Sequence, residues 1–550
     1  MFDLSIARFR KVFINSIFLL TLIGVSCLAW ACRFIQDDAF ISFRYAFNLV
    51  HGQGLTWNPG ERIQGYTNLL WTLLMAIPLT MNYDPTVFSQ IIGIFFTVGT
   101  LWATYKVACI IFRSHFLAVF TILMLGTNYT FIAYATGGLE TQMQTFFIVT
   151  GIFLGLSILV HDDAKYRVYC ALLSFVFSLA ILTRLDSMIA FLVLFPFLFW
   201  QIFARPYSSL NRKMVESALL VLPAAVILGS WLIWNYSYYG DILPNTYYAK
   251  ATLYSINIFK QGVLYIREFL LSYLLMPFVF IAMFNLKDFI LKSKLCIITA
   301  IIILWNIYLI RVGGDFMEFR FLVPVLPFIF IIITFLLSTI INKKVRIALF
   351  IMILFGSFSH AYYYKGTITE HLRIESIYSL NSNLVYWSKA GLVLKELFYK
   401  SDSDVVIATT AAGAIPYYSQ LKTIDMHGLN DRWIARNGII FSPRVAHRRL
   451  SSHKYLVERG VNLVIGHPKI ELLTETYPKE IIGDLAFVYG IFKIFRIIDP
   501  QKNLISGDTE IIVIPIDNLY GIHVLYVKKN NHIDDVIKKN NYKTYKLFQS

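Results

Sequence analysis

The stretch from Gln36 to Trp71 reads QDDAFISFRYAFNLVHGQGLTWNPGERIQGYTNLLW and follows the first long apolar run of the chain. It places two adjacent carboxylates, Asp37 and Asp38, where a membrane-spanning segment would end. An arginine, a glycine-broken turn and a row of Tyr, Asn and Trp residues come after them. Charged side chains at a membrane boundary cost free energy and are often functional. This stretch is therefore the first candidate for a functional site.

The composition is that of a polytopic membrane protein. Hydrophobic residues make up 57% of the 550 positions and charged residues only 15%, whereas a soluble protein averages about 25% charged residues. A membrane-spanning helix needs about 20 apolar residues. We predict a mainly α fold with about eleven transmembrane helices, near residues 13–33, 86–112, 115–128, 141–160, 168–183, 187–204, 214–234, 270–285, 295–310, 321–341 and 345–363.

Basic residues between the apolar runs indicate the orientation. The net charge of +16 could suggest nucleic acid, but Lys and Arg clustered between spans follow the positive-inside pattern, which argues against a nucleic-acid partner. The thirteen-residue piece Leu69 to Met81 is short for a span. If it lies on the surface, the N-terminus and all the basic clusters are cytoplasmic. The clusters are Arg8/Arg10/Lys11, Lys106/Arg113, Lys165/Arg167, Arg205/Arg212/Lys213, Lys287/Lys292/Lys294 and Lys343/Lys344/Arg346.

We therefore predict an outer loop over residues 34–85 that contains juxtamembrane helices, with Leu69 to Met81 lying in the membrane interface. The same orientation brings the loops with most carboxylates, Gly-Gly pairs and Tyr clusters to the outer face. The inner loops are short and basic. This segregation predicts a functional pocket that opens outward.

Asp37 and Asp38 have two interpretations. Asp at a helix N-terminus accepts hydrogen bonds from unpaired N–H groups, so the pair could cap a helix that begins at Ala39. Two adjacent carboxylates are more than a cap needs, which favours a catalytic role for one of them. Arg44 returns to the face of Asp37 about two helical turns later. It is either a phosphate ligand or an ion-pair partner.

The other outer loops supply further candidates, each with a structural alternative. A carboxylate after a Gly pair can cap a helix, neighbouring Arg and Asp can form a local ion pair, and Tyr is common at membrane interfaces. Cations on the outer side are disfavoured, so they are candidates for binding an anionic headgroup. The donor- or phosphate-binding candidates are Arg44, Lys250 and Arg320, and the pocket-lining candidates are Glu140, Arg184, Asp186, Asp241, Asn245, Tyr247, Tyr248 and Asp315.

The sequence contains no P-loop, no GxGxxG in a Rossmann context, no HExxH and no GxSxG. Nucleotide chemistry therefore has no support. The five cysteines lie in or beside predicted spans without CxxC spacing, which is typical of buried thiols. We predict no metal site and no certain cofactor, although the adjacent Asp pair leaves a divalent cation open.

From about Lys365 the composition becomes mixed. Segments such as DVVIATTAAGAIPYYS, VNLVIGH, TEIIVIPI and GIHVLYV have the β-branched and apolar content of strands. We predict a transmembrane catalytic domain over residues 1–364 and an α/β domain over residues 365–550. Because the last span exits outward, the second domain is expected in the periplasm.

Five later segments complete a pattern with the opening stretch: GGLE (137–140), TRLD (183–186), YYGDILPNTYYAK (238–250), GGDFMEFRFLVPVLP (313–327) and GAIPYYSQLKTIDMHGLNDRWIA (413–435). Together, in this order, they resemble bacterial membrane glycosyltransferases of the GT-C type. The resemblance is strongest to the terminal β-1,2-arabinofuranosyltransferases of mycobacteria and the LphB-like proteins of Gram-negative bacteria. Each motif alone is weak, and the ordered set points to the family without naming the sugar.

The resemblance implies an enzyme of the bacterial inner membrane with a multi-spanning core, a lipid-linked sugar donor of the polyprenyl-phosphate type and a periplasmic C-terminal domain. The family's catalytic Asp, carried by the first outer loop, matches Asp37 or Asp38 here. The segments 238–250 and 313–320 match loops that line the family's pocket.

The expected function is transfer of a sugar, with inversion, from a polyprenyl phosphate to a periplasmic glycan or lipid-glycan acceptor. An outer-loop Asp would act as general base, and Arg or Lys would stabilise the departing phosphate. The main alternative is a transporter or flippase of a lipid-linked saccharide. Such proteins carry internal repeats with polar breaks in mid-membrane, whereas here the polar residues gather at the outer ends of spans. A third alternative is an assembly protein that binds through its C-terminal domain.

Overall fold

The first two thirds of the chain form a helical bundle. The computed structural model describes residues 2–160, 165–205, 209–250, 256–285, 287, 289, 292–364, 374–399, 404–440, 448–468, 470–473 and 509–546. Short 3₁₀ segments occupy Leu185–Ser187 and Arg320–Val325. The bundle helices are α1 (Phe2–Ala31), α2 (Ala39–Val50), α3 (Leu69–Thr80), α4 (Pro85–Phe112), α5 (His115–Gly126), α6 (Tyr129–Ala133), α7 (Thr141–Ile158), α8 (Lys165–Thr183), α9 (Met188–Ala204), α10 (Leu210–Tyr239), α11 (Asn245–Lys250), α12 (Ile256–Ser272), α13 (Met276–Phe284), α14 (Ser293–Val312), α15 (Leu326–Thr339) and α16 (Lys343–Tyr363).

The bundle confirms a mainly α, polytopic fold. Within the described residues, nine helices are long and apolar enough to cross a membrane. α12 and α13 together pass the same test but meet at a bend of 99°. If this bent pair is counted as one span, the number of crossings is ten. The predicted span over residues 270–285 contains this bend, because the chain turns sharply between Ser272 and Met276.

The eleventh predicted span corresponds to α5, which has only 12 residues. At about 1.5 Å per residue it is roughly 18 Å long, less than the hydrocarbon core. Hydrogen bonds nevertheless show that α5 carries the chain back across the bundle. Near the start of α4, Gln90 Nε2 donates to Phe34 O (3.1 Å), and after α5, Gln36 N donates to Gly137 O (3.1 Å). Both ends of the α4–α5 hairpin therefore meet the segment that follows α1.

α7 and α15 form the centre of the bundle, while α10 lies at its edge. In α7, 83% of the residues are buried, and in the span that contains α15 the fraction is 78%. Only 11% of the most apolar part of α10 is buried inside the protein. Its exposed Leu, Val, Ile and Trp side chains are what a lipid-facing helix needs.

α3 is the thirteen-residue piece predicted to lie in the membrane interface. It has 12 residues, and both of its ends lie on the same face of the bundle. At its start, Asn68 Nδ2 donates to Glu140 Oε2 (2.7 Å). Just beyond its end, Asp84 Oδ2 accepts a long hydrogen bond from Tyr418 OH (3.4 Å). The interfacial position itself, and the outer loop over residues 34–85, stay predictions.

The last third contains a mixed α/β domain built on one seven-stranded sheet, beside which β3 and β4 form a separate antiparallel pair. The strand order is β2-β1-β5-β8-β7-β9, with β6 paired to β8. β1 is parallel to β2 and β5, whereas β8 is antiparallel to β5, β6 and β7. The predicted boundary after residue 364 adjoins residues 365–373, outside the described residues, and stays a prediction. The elements are α17 (Ile377–Phe398), β1 (Val406–Thr409), α18 (Ala414–Ser419), β2 (Lys422–Asp425), α19 (Arg432–Asn437), β3 (Ile439–Ile440), β4 (Arg449–Leu450), α20 (His453–Glu458), β5 (Leu463–Gly466), β6 (Ile470–Leu472), β7 (Glu510–Pro515), β8 (Tyr520–Tyr526), α21 (Asn531–Asn540) and β9 (Thr544–Lys546).

The carboxyl ends of β1 and β2 face the membrane core. Loops at this edge of a parallel sheet are where α/β proteins usually bind ligands. Here the loop after β1 contacts the segment before α2, through Gly413 and Asp37. The loop after β2 contacts α2 itself, because Tyr45 OH donates to Asn430 Oδ1 (3.1 Å). The edge that would bind a ligand in an isolated domain is therefore occupied by the membrane core.

We predict that Gly93→Ala destabilises the bundle. Gly93 lets α4 pass close to the turn after α6, and an added Cβ would overlap the carbonyl oxygen of Ala135. Overpacking of this kind costs about 1–3 kcal/mol, so thermal unfolding in detergent should begin at lower temperature. Gly24→Ala is the matched control, since no atom lies within 4 Å of its added Cβ. Equal melting temperatures for the two variants would contradict this packing.

Candidate active site

A cavity of about 520 Å³ opens at the ends of the helices, between the membrane core and the α/β domain. Its volume lies within the ~300–1,000 Å³ range of small-molecule sites. Loops before α2, α7 and α9 supply one wall, and the segments around α11 and after α14 supply the other. Eight of the residues predicted from sequence line it: Asp38, Glu140, Arg184, Asp186, Tyr247, Lys250, Asp315 and Arg320.

Asp38 is the carboxylate of the quoted stretch that reaches this cavity. It occupies the N-cap position of α2, yet its side chain makes no capping hydrogen bond. Burial raises the pKa of Asp38, and the positive charges of Lys250 and Arg320 partly offset that increase. A carboxylate that is not used as a helix cap and that faces two cations is available for chemistry.

Lys250 and Arg320 supply the positive side of the cavity. Lys250 ends α11, and burial lowers its pKa although Asp38 favours the charged form. Its ammonium group forms no hydrogen bond or ion pair with any residue that the structure describes. Arg320 donates from Nε to Asp315 Oδ2 (2.8 Å). Its guanidinium is thereby oriented, and Lys250 remains a cation without a protein anion in contact.

The opposite wall is a chain of paired charges. Arg184 Nη1 donates to Glu140 Oε1 (2.7 Å), and Arg184 Nη2 donates to Asp186 Oδ2 (2.9 Å). Burial acts to raise the pKa of Glu140, but Arg184 and Arg320 outweigh it and the pKa is lowered. The local ion pair that sequence suggested for Arg184 and Asp186 is present, and it extends to Glu140. These groups hold one another in place and give the wall its shape.

The cavity residues that the sequence analysis did not single out include Asn68, Tyr308 and Arg448. Asn68 donates to Glu140, and Tyr308 OH donates to Asp186 Oδ2 (3.2 Å). Arg448 reaches the cavity from the α/β domain. Asn68 stood in the quoted stretch and could have been found as a polar residue beside an apolar helix. Tyr308 lies inside an apolar run and Arg448 in a basic loop, so neither gave a local signal.

Asp37 and Arg44 lie elsewhere, which corrects their predicted places in the site. The Asp37 carboxylate accepts hydrogen bonds from Gly413 N (3.1 Å) and Ala414 N (2.8 Å), at the start of α18. Burial raises the pKa of Asp37 to about 7, while these two amides act to lower it. Asp37 thus caps a helix of the α/β domain and is absent from the lining of the cavity.

Arg44 binds the other end of the same helix. Its Nη1 donates to the carbonyl of Pro416, and its Nη2 donates to Leu421 O (2.8 Å) and Asn58 Oδ1 (3.1 Å). Its Nε donates to Trp57 O (2.7 Å). With its donors engaged by protein acceptors, Arg44 is not placed to bind a phosphate in the cavity. The structure differs from the predicted phosphate-binding role because carbonyl groups of a segment distant in sequence accept the hydrogen bonds of the Arg44 guanidinium.

Three further predicted pocket residues join the domains instead of lining the cavity. Asp241 forms an ion pair with Arg436 of α19, whose Nη2 lies 3.1 Å from each carboxylate oxygen. Asn245 Nδ2 donates to Gly428 O (2.8 Å), and the Tyr248 ring lies 4.0 Å below the Arg436 guanidinium. Their neighbours Tyr247 and Lys250 do line the cavity. The loop around α11 therefore serves both the cavity and the domain junction.

The cavity carboxylates do not assemble a metal site. Among the described residues, no group of three or more His, Cys, Asp or Glu side chains is close enough to hold an ion. Glu140 and Asp315 are each paired with an arginine, a setting that suits an anionic ligand better than a cation.

Comparisons with known proteins agree with a glycosyltransferase fold. The protein named terminal beta-(1->2)-arabinofuranosyltransferase of Mycobacterium tuberculosis (strain ATCC 25618 / H37Rv) is 24% identical over 258 residues, which cover 44% of this chain and 38% of that protein. The chain thus matches less than half the length of this relative. Residues 377–506 match a family described as a domain of unknown function, DUF8728, which begins at the first residue of α17.

Two solved structures share the architecture over most of the chain. ArnT from Cupriavidus metallidurans, bound to undecaprenyl phosphate, covers 93% of this chain and 97% of its own, with a TM-score of 0.56 and 12% identity. The oligosaccharyltransferase of Archaeoglobus fulgidus in its apo form covers 93% of this chain and 74% of its own, with a TM-score of 0.56 and 10% identity. The chain has the fold of GT-C membrane glycosyltransferases, as the sequence resemblance predicted.

We predict that Arg44→Ala loosens the α/β domain from the core. The substitution removes the guanidinium hydrogen bonds to the carbonyls of Trp57, Pro416 and Leu421, and each lost charge-assisted hydrogen bond is worth about 1.5–3 kcal/mol. Limited proteolysis of the purified protein should release C-terminal fragments sooner than in wild type. Arg33→Ala is the control, because exposed Arg33 bonds only to its own helix, at Trp30 O. Equal cleavage rates in all three proteins would contradict the clamp.

Proposed function

We propose that this protein transfers a sugar from a polyprenyl phosphate to an acceptor hydroxyl on the outer side of a bacterial inner membrane, with inversion at the anomeric carbon. The observation that carries the proposal is the arrangement around Asp38. Its carboxylate forms no helix-capping hydrogen bond and shares a cavity with Lys250 and Arg320. A base and a phosphate-binding pair are the two functions that this reaction requires.

Asp38 serves as the general base. The acceptor hydroxyl is a poor nucleophile, so its proton passes to the Asp38 carboxylate as its oxygen bonds to the anomeric carbon. General base catalysis of this kind contributes about 10²–10⁴ in rate. The raised pKa of Asp38 makes the carboxylate a stronger base than an exposed Asp. The hydrogen bonds that hold Asp37 at the domain junction favour Asp38 over Asp37 as the base.

Lys250 and Arg320 receive the leaving group. As the bond between the anomeric carbon and the phosphate oxygen breaks, that oxygen gains negative charge. Donors already oriented toward this charge lower the barrier, and the ion pair with Asp315 orients Arg320. Lys250, which contacts no protein anion among the described residues, gains one when the phosphate binds.

A lipid carrier fits the position of the cavity. The ArnT structure with the same architecture holds undecaprenyl phosphate. In this chain the cavity lies where helices end, so a phosphate can enter it while the polyprenyl tail stays among lipids. We place the donor on the outer face together with a periplasmic glycan or lipid-glycan acceptor, the N-terminus in the cytoplasm and the α/β domain in the periplasm. The sugar is left open.

The transporter alternative is not favoured. A flippase needs a polar route through mid-membrane, whereas the polar groups of this cavity lie at one end of the bundle. The fold is shared with an oligosaccharyltransferase, and part of the sequence is similar to a protein named as an arabinofuranosyltransferase. Both observations favour a reaction at one face over movement between faces.

We predict that Asp38→Asn lowers sugar transfer by about 10²–10⁴-fold, the contribution of a general base. The assay is transfer from a labelled polyprenyl-phosphate sugar in membranes that express each variant at equal level. Asp37→Asn is the paired control: its single amide oxygen keeps one of the two hydrogen bonds from Gly413 N and Ala414 N, and the lining of the cavity is unchanged. This variant should retain most of the activity. Full activity in Asp38→Asn would refute the assignment, and the reverse ranking would move the base to Asp37.

We also predict a distinctive pH dependence. The base works only when deprotonated, so transfer should increase with pH through the Asp38 pKa, which lies above the ordinary Asp value. In Lys250→Gln, a cation that lowers this pKa is lost, and the midpoint of the rise should move to higher pH. Apparent donor affinity should fall as well, because one phosphate ligand is missing. A midpoint that stays at the wild-type pH would show that Lys250 does not face Asp38.

A further inference from the structure

A second cavity, of about 270 Å³, lies at the junction of the membrane core and the α/β domain. α2 separates it from the first cavity. Phe47, which lines the second cavity, follows Asp38 by nine residues, or two and a half turns at about 3.6 residues per turn. It therefore projects from the face of α2 opposite to Asp38. The second cavity is distinct from the proposed catalytic site.

The chemistry of the second cavity is mixed in a specific way. Asp84 supplies a carboxylate and Lys395 an ammonium group, and the rings of Tyr83 and Tyr418 accompany them. Asp84 caps α4 through one oxygen, which accepts from Thr86 N (2.7 Å). Opposite charges with aromatic rings can bind a ligand that itself carries both charges. An ammonium group is attracted to a carboxylate and to ring faces, and a phosphate is attracted to Lys.

The cavity lies at the level where membrane spans end. Asp84 immediately precedes the candidate span Pro85–Phe112. Lys395 lies on α17, and the start of this helix is also near a span end. There, Ile377 N donates to Glu318 Oε2 (2.9 Å), and Glu318 lies two residues before the candidate span Arg320–Thr339. Leu392, which also lines the cavity, is about 22 Å further along this helix. Both points therefore lie near span ends, and α17 runs along the membrane surface.

α17 also presents an apolar stripe to its surroundings. Four side chains spaced seven residues apart are at least half exposed: Tyr378 (60%), Val385 (53%), Leu392 (53%) and Tyr399 (51%). Exposed Met81 (64%) and Tyr83 (68%) continue this surface onto the turn between α3 and α4. Lys389 and Lys395 flank the stripe, as basic residues do on helices that lie in a membrane interface. This pattern is what a surface in contact with lipid headgroups needs.

We propose that the second cavity binds the headgroup of a membrane phospholipid that carries both an ammonium and a phosphate, such as phosphatidylethanolamine. Its ammonium group pairs with Asp84 between the rings of Tyr83 and Tyr418, and its phosphate pairs with Lys395. The acyl chains continue along the exposed faces of α3 and α4. A lipid held here joins the α/β domain to the membrane core on the side away from Asp38.

The test measures bound lipid, so its outcome does not depend on the proposed transfer reaction. Purified full-length protein is equilibrated in micelles with equal amounts of phosphatidylethanolamine and phosphatidylglycerol, and retained lipids are counted by native mass spectrometry. Wild type should retain phosphatidylethanolamine preferentially. Asp84→Asn should reduce this preference by about tenfold, the ratio for one charge-assisted hydrogen bond. Lys395→Gln should instead reduce the retention of both lipids by about tenfold, because both carry a phosphate. Asn at position 84 keeps an oxygen that can cap α4.

Lys454→Gln is the control, because exposed Lys454 pairs with Glu458 on α20 and does not line the cavity. Its lipid preference should equal that of wild type. A wild type without preference, a preference unchanged in Asp84→Asn, or lipid retention unchanged in Lys395→Gln overturns the proposal. Two other occupants would overturn it as well. One is a linear arabino-oligosaccharide, which would be shown by protection of residues 79–84 and 392–395 from hydrogen exchange. The other is a second copy of the chain, which would be shown by a lipid-free dimer that Lys395→Gln abolishes.

Discussion

The clamp that α2 places on α18 is the interaction on which the rest of the site depends. The Asp37 carboxylate accepts hydrogen bonds from the two amides at the start of α18. Arg44 donates to the carbonyls of Pro416, in the last turn of α18, and Leu421, just after this helix. Negative charge at a helix N-terminus and positive charge at its C-terminus both complement the helix dipole. Because Asp37 and Arg44 are seven residues apart, one face of α2 binds the whole of α18. The α/β domain is thereby fixed above the membrane core.

This clamp explains why two carboxylates stand side by side. Asp37 faces the α/β domain, and Asp38 faces the cavity, where it makes no capping bond. The junction also closes the cavity, since Leu429 and Arg448 of the α/β domain belong to its lining. The cavity is therefore complete only when the α/β domain is docked on the membrane core. The same reasoning applies around α11, where Asp241 and Asn245 hold α19 while Lys250 enters the cavity.

Much of this could be predicted from sequence because membranes impose simple rules. Length and hydropathy predicted the helical bundle, and the ordered motifs predicted the GT-C fold. Eight of the thirteen predicted site residues line one cavity. The other five, Asp37, Arg44, Asp241, Asn245 and Tyr248, instead contact residues of the α/β domain that are distant in sequence. Arg44 meets carbonyls more than 370 positions away, and local sequence carries no information about such contacts. The bend between α12 and α13 was missed because both sides of it are apolar.

The central claim is that donor phosphate binds between Lys250 and Arg320, on the Asp38 side of α2. A structure of the full-length protein with undecaprenyl phosphate, determined by electron cryomicroscopy in a lipid nanodisc, tests it most directly. We expect phosphate density within hydrogen-bond distance of both cations, with the Asp38 carboxylate facing the space beside it and Asp37 still bound to Gly413 and Ala414. Phosphate bound next to Arg44, or in a position that neither Lys250 nor Arg320 can reach, would contradict the account.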